Sequence, residues 1–203
     1  MKSEIKPLET LWNGNRYRSR LEARWAVFLE SLKIDFEYER EGYQTKSGRG
    51  YLPDFWLPNV GVRGVAPPGT WLEIKPNEPS GEEMSDLGDV CEFTGASGII
   101  AMGRPPLEMM WGTEWLIQVA VRGEYWWDNS MLIVECVKCG RFKFEFSEGN
   151  YMKCPYCGGI TDESTVDIAL AAEAASLARF EHGERWKTLA ERTAAPKQLR
   201  GIA

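Results

Sequence analysis

Histidine is nearly missing from this chain: one residue, His182, in 203. It stands near the end of an Ala-rich stretch, so a His–Cys or His–Asp catalytic pair is not expected and His182 reads as a helix-terminal cap. No uninterrupted apolar run approaches the ~18–20 residues a bilayer span needs. The opening Met1-Lys-Ser-Glu-Ile-Lys-Pro7 has no apolar stretch of the kind a signal peptide requires, so membrane and secreted readings drop out and a cytoplasmic setting is expected. Positive charge is short as well. Lys and Arg number 24 against 30 Asp and Glu, a net charge of −6, which excludes coating nucleic acid through bulk charge. Any such contact has to come from a local basic patch. The sequence has no internal repeat, no P-loop and no dinucleotide fingerprint.

What the chain does have is a hydrophobic fraction of 43% with 12% aromatics, enough for a real core. Its length suits one medium domain or one domain plus a small module. Apolar residues Leu21, Trp25, Phe28, Leu29 and Leu32 recur at helical intervals and predict a first helix over 17–33. Strands are expected over 36–40, 51–57 and 70–75, with 59–69 as a hairpin-like connection between the last two. Ser80 and Glu83 have capping-box spacing and open a helix running to about Phe93. Further strand pieces fall at 98–102, 115–121 and 125–128. From Glu163 an Ala-rich helix is predicted to reach about His182, followed by a frayed tail over 194–203. The pattern predicts an α/β mixed-sheet core over 1–128, a cysteine module over 129–162 and a C-terminal helix and tail over 163–203.

The most informative residues are Asp54 in Leu-Pro-Asp-Phe, and Glu73 and Lys75 in Trp-Leu-Glu-Ile-Lys-Pro. Strand alternation sends Glu73 and Lys75 to one face, and a hairpin brings Asp54 beside them. Two carboxylates in an otherwise apolar core call for compensation, and Mg²⁺ (or Mn²⁺), which takes oxygen ligands, would supply it. Alone, Glu-x-Lys on a strand is usually a solvated ion pair on an exposed face. Residues 16–24 carry Arg16, Arg18, Arg20 and Arg24 against Glu22 only, a phosphate-positioning patch or the polar face of the first helix.

The run Tyr17-Arg-Ser-Arg-Leu-Glu-Ala-Arg-Trp25, then Pro53-Asp54, then Glu73-Ile-Lys75 resembles the PD-(D/E)XK, or restriction-endonuclease-like, nuclease superfamily. The likeness covers about residues 10–105 and is greatest to the small members encoded by bacteriophages and mobile elements. It implies a metal-dependent DNA endonuclease or exonuclease acting in DNA processing, in the host cytoplasm if phage-encoded. Asp54 and Glu73 would ligate the catalytic Mg²⁺, with the Ile74 carbonyl assisting. Lys75 would act on the water nucleophile or on phosphorane charge, and Glu22 would stand near the metal. Arg16, Arg18 and Arg20 would contact DNA. The helix after Lys75 departs from the pattern: it lacks a Gln or Lys site residue and carries Glu82, Glu83, Asp86, Asp89 and Glu92, so it is not expected to face DNA. The competing reading is a non-catalytic DNA- or protein-binding factor on the same scaffold.

Five cysteines include two matched knuckles, Cys136-Val-Lys-Cys139-Gly and Cys154-Pro-Tyr-Cys157-Gly. In a chain without an export signal this spacing predicts structural Zn²⁺ on four thiolates, a zinc ribbon, ahead of an iron–sulfur cluster or a redox dithiol. Cys91 is left over and reads as a small buried hydrophobe. The ribbon's charges balance, so it could grip DNA, cover the core, or join a second copy or a protein partner, as could the C-terminal helix. Trp25, Trp71 and Trp115 are expected in the core, and one ring of Trp126-Trp127 should face outward.

Overall fold

In a computed structural model of the protein, residues 9–62, 69–105, 116–121, 123–128, 131–146, 153–159, 161–162 and 166–180 are described. Strand β1 (Thr10–Trp12) turns back on β2 (Asn15–Tyr17) through Asn13 and Gly14, both at positive φ, as a tight Asn-Gly hairpin requires. Helix α1 (Arg20–Ser31) follows, capped by Ser19, whose hydroxyl accepts from the Glu22 N–H. The helix therefore starts three residues later than the periodicity predicts, because Tyr17 belongs to β2 and Ser19 supplies the cap. Its apolar face buries Trp25, Phe28 and Leu29, and the Trp25 indole donates to the Gly103 carbonyl at 2.8 Å.

Next come β3 (Glu37–Tyr38), β4 (Tyr43–Gln44), β5 (Gly50–Tyr51), β6 (Phe55–Leu57), β7 (Gly61–Val62) and β8 (Thr70–Lys75). Helix α2 (Gly81–Thr94) has the expected reciprocal capping box between Ser80 and Glu83, and Gly95 ends it at φ 67°. The chain continues through β9 (Ser97–Met102), β10 (Leu116–Val121), β11 (Glu124–Asp128), β12 (Met131–Cys136), β13 (Phe142–Phe146), β14 (Thr161–Asp162) and α3 (Val166–Leu177). The architecture is mixed α/β. One sheet has the order β11-β10-β9-β8-β6-β3, with β8 and β9 parallel across the α2 crossover and the other pairs antiparallel. At Gly98 a Cβ would stand 2.4 Å from the Cys91 sulfur, so glycine lets α2 lie close on β9. Cys91 is fully buried there, as expected.

The second sheet has the order β14-β12-β13-β7. Its β7 comes from within the expected β6–β8 connection and pairs parallel with β13. Phe142, Phe144 and Ile133 share one apolar cluster with α1, β8 and the small residues of α3. The three segments expected from the sequence thus meet in a continuous core. Both faces of β13 are buried: Lys143 turns inward and pairs with Glu145 at 2.6 Å. Helix α3 stops at Leu177 rather than near His182, because the Arg24 guanidinium takes the Ala175 and Ser176 carbonyls at 2.6 and 2.8 Å. Phe180, beyond the helix, packs edge-on against Trp12. Among the described residues no helix is long and apolar enough to cross a membrane. The expectations for Trp115, His182, the 194–203 tail and the Trp126 and Trp127 side chains lie outside the described residues.

Candidate active site and metal centre

The register of β6 against β8, Phe55 opposite Leu72, brings Asp54 at the mouth of β6 beside Glu73. Both are deeply buried, at 2% and 4% exposure. Each carboxylate is held by the other strand's backbone. The Ile74 N–H donates to Asp54 Oδ2 at 2.7 Å, and the Asp54 N–H donates to Glu73 Oε2 at 3.2 Å. Lys75, two residues along β8 and on the same face, sets its ammonium 3.0 Å from Glu73 Oε1 and 3.0 Å from Glu83 Oε1. Glu83 thus serves twice, as the α2 capping residue and as a partner of Lys75.

A second layer comes from the start of α1 and from β3. Glu22 is buried and accepts from the Tyr38 hydroxyl, from the Ser19 hydroxyl at 2.7 Å and from the Arg18 N–H at 3.1 Å. The Glu22 carboxylate thus folds back on the turn that leads into α1, while Ser19 takes the Glu22 N–H of the helix itself. The Arg18 guanidinium reaches inward to Asp54 Oδ1 at 2.5 Å and to Glu39 at 2.5 Å, with Glu22 at 4.0 Å. Five carboxylates (Glu22, Glu39, Asp54, Glu73, Glu83) share two cations, Arg18 and Lys75. Burial, then the charges of Glu73 and Glu22, push the Asp54 carboxyl well above the ordinary aspartate range, against the Ile74 amide and Arg18. Burial likewise raises Glu73, opposed by Lys75. The site is short of positive charge.

The other arginines do not converge on it. Arg16 is exposed and pairs with Glu9 at 3.2 Å, and Arg20 is exposed on the first turn of α1. The acidic outer face of α2 is not simply solvated. Arg49 pairs with Glu82 and with both oxygens of Asp86, and Lys46 pairs with Asp89 and Glu92, so the β4–β5 hairpin lies on α2. That hairpin walls an open cleft of about 660 Å³ whose lining includes Arg18, Tyr43, Gln44, Tyr51, Glu73 and Lys75. Tyr38, Glu39, Tyr51 and Glu83 are site neighbours that sequence reasoning missed. Only Glu83 left a local signal, and it was the signal of a cap.

The cysteine module matches expectation closely. Among the described residues, Cys136, Cys139, Cys154 and Cys157 are the only group of three or more prospective ligands whose donor atoms all lie within 4.8 Å. Glu22 accordingly does not join Asp54 and Glu73 at that range. The sulfur separations Cys136–Cys157 and Cys139–Cys154 are 3.6 and 3.7 Å. Zn–S bonds of about 2.3 Å in a tetrahedron require about 3.8 Å, whereas a disulfide requires about 2.05 Å. The two knuckles repeat one turn: Gly140 N–H donates to Cys136 O and Gly158 N–H to Cys154 O, with φ of 65° and 68° at the glycines. Burial opposes ionisation of Cys136, yet the amides of Cys139 and Lys138 bring its thiol down to about 7. The cluster is compatible with a structural zinc.

Comparison of the chain with protein-family models, with curated proteins and with solved structures finds no match.

Proposed function

We propose that the protein is a metal-dependent deoxyribonuclease, a phosphodiester hydrolase on a restriction-endonuclease-like core, with zinc closing its ribbon. The reading belongs with DNA processing by a phage or mobile element, as the motif resemblance implies. The observation that carries it is the buried Asp54–Glu73 pair, with three further carboxylates and two cations around it, beside an open cleft that Arg18, Glu73 and Lys75 line. That donor set is all oxygen and electron-rich, which fits Mg²⁺ or Mn²⁺.

Asp54 and Glu73 would hold the cation, with the Ile74 carbonyl as a further oxygen. When bound, Mg²⁺ polarises a phosphoryl oxygen and acidifies a coordinated water. Lys75, kept charged by Glu73 and Glu83, donates hydrogen bonds to the attacking water or to the phosphorane oxygens and neutralises charge that builds in the transition state. With four thiolates on zinc no coordination position stays open, so the ribbon's role is folding and not chemistry. The test incubates zinc-loaded protein with branched, single-stranded and duplex DNA in Mg²⁺, Mn²⁺ or EDTA. Cleavage that requires the divalent cation is expected. A panel left uncut while the protein still binds DNA or a protein partner would favour the non-catalytic factor.

A further inference from the structure

We infer that Arg18 is a resident counter-ion which a divalent cation displaces: its guanidinium holds Asp54 in the metal-free protein and turns out into the cleft when the cation loads. The inference rests on the reading of Asp54 as a metal ligand. Both Asp54 oxygens are already engaged, Oδ2 by the Ile74 amide and Oδ1 by Arg18. A backbone amide on β8 cannot leave without breaking the sheet, but a side chain can. A cation entering at Asp54 therefore meets the guanidinium at Oδ1, and the two positive charges repel at such range.

The surroundings permit this exchange. The Arg18 backbone is pinned, its N–H bonded to the Tyr38 hydroxyl at 2.9 Å and to Glu22, so only the side chain is free to move. That side chain is 51% exposed and already lines the cleft, whereas Asp54 is enclosed. Glu39, half-buried beside the site, holds Nε and gives the guanidinium a second anchor once it leaves Asp54. A purely structural ion pair would behave differently, because the guanidinium would then stay on Asp54 Oδ1 as the cation loads.

The experiment titrates zinc-loaded wild type, Arg18→Met and Asp54→Asn with Mn²⁺ by calorimetry. Arg18→Met is expected to bind Mn²⁺ roughly two- to five-fold more tightly than wild type, the scale of one half-exposed charge pair. Asp54→Asn should lose this binding. If Asp54→Asn loses it while Arg18→Met binds equally or more weakly, the exchange is overturned and the metal reading stands. If Asp54→Asn binds like wild type, Asp54 is not a ligand and both fall. A Mg²⁺ titration of the wild type needs no variant and separates displacement from simple repulsion. The Arg18 Nη2 protons, held on Asp54 Oδ1 in the ion pair, should exchange slowly without the cation and fast once it loads, and persistent protection would overturn the proposal.

Discussion

Lys75 and Arg18 present like charges to one cleft but differ in what they touch. Lys75 lies between the half-exposed Glu83 and the buried Glu73, which it cannot leave without stranding a buried charge, so its ammonium is a fixed electrostatic element. Lys75→Ala is expected to abolish cleavage while DNA affinity, read by fluorescence anisotropy in Ca²⁺, stays within about two-fold, since the lost interaction is made in the transition state. Asp54→Ala should also abolish cleavage, and it should strengthen binding in EDTA by removing a carboxylate that repels phosphate. Retained cleavage in either variant sinks the assigned roles. Arg16, whose exposed pair with Glu9 is worth little, is expected to act as an ordinary phosphate contact. Arg16→Ala should reduce the slope of log K against log salt by about one. Arg18→Met should lower DNA affinity in Ca²⁺ and leave it nearly unchanged in EDTA, where the guanidinium is tied to Asp54.

At the scale of elements, α2 is the member that joins local stability to the site. Its N-terminal Glu83 accepts from the Ser80 N–H at 2.8 Å and also receives Lys75, and the Ser80 amide, followed by Lys75, holds its carboxyl below the ordinary glutamate range. A depressed carboxylate stabilises the fold above the unfolded value near 4.5, and that contribution is lost as pH falls through the lower folded value. The Glu83 side-chain carbon resonance is therefore expected to titrate with a midpoint below 4.5. Glu83→Gln should cost about 0.5–1 kcal/mol in urea unfolding, a half-exposed cap being worth no more. A midpoint at or above 4.5 would disconnect α2 from Lys75. On its other face α2 carries the β4–β5 hairpin through exposed ion pairs, which screen readily, so the cleft wall is the part of the site most sensitive to salt.

For the whole molecule, the ribbon and the α/β core share strands and side chains. β7 pairs with β13, and Phe142 and Phe144 pack into the cluster that holds Trp25 and α3. Metal analysis is expected to find one zinc per chain, and iron with sulfide would refute the cluster's assignment. Chelation, or Cys154→Ser, should lower Tm in a single transition seen by tryptophan fluorescence as well as by far-UV dichroism. An unchanged core transition would mean that the ribbon is a separable module, as the segment boundaries in the sequence suggest.

Much of this was legible in the chain itself because the physics was short-range. The Ser80–Glu83 box, the common face of Glu73 and Lys75, and the matched cysteine knuckles each depend on residues two to four apart, where helix, strand and turn geometry decide direction. Other features arose only when distant segments met. Arg18 reads locally as a surface arginine, yet its partner Asp54 lies 36 residues away, and α3 ends where it does because of Arg24, about 150 residues earlier. Tyr38 and Glu39 sit in an unremarkable aromatic–charged alternation and become site residues only through the turn before α1. Local sequence sets which way a side chain points on its own element. Which charge it then faces depends on how sheets and helices pack, and burial makes that partner costly to lack.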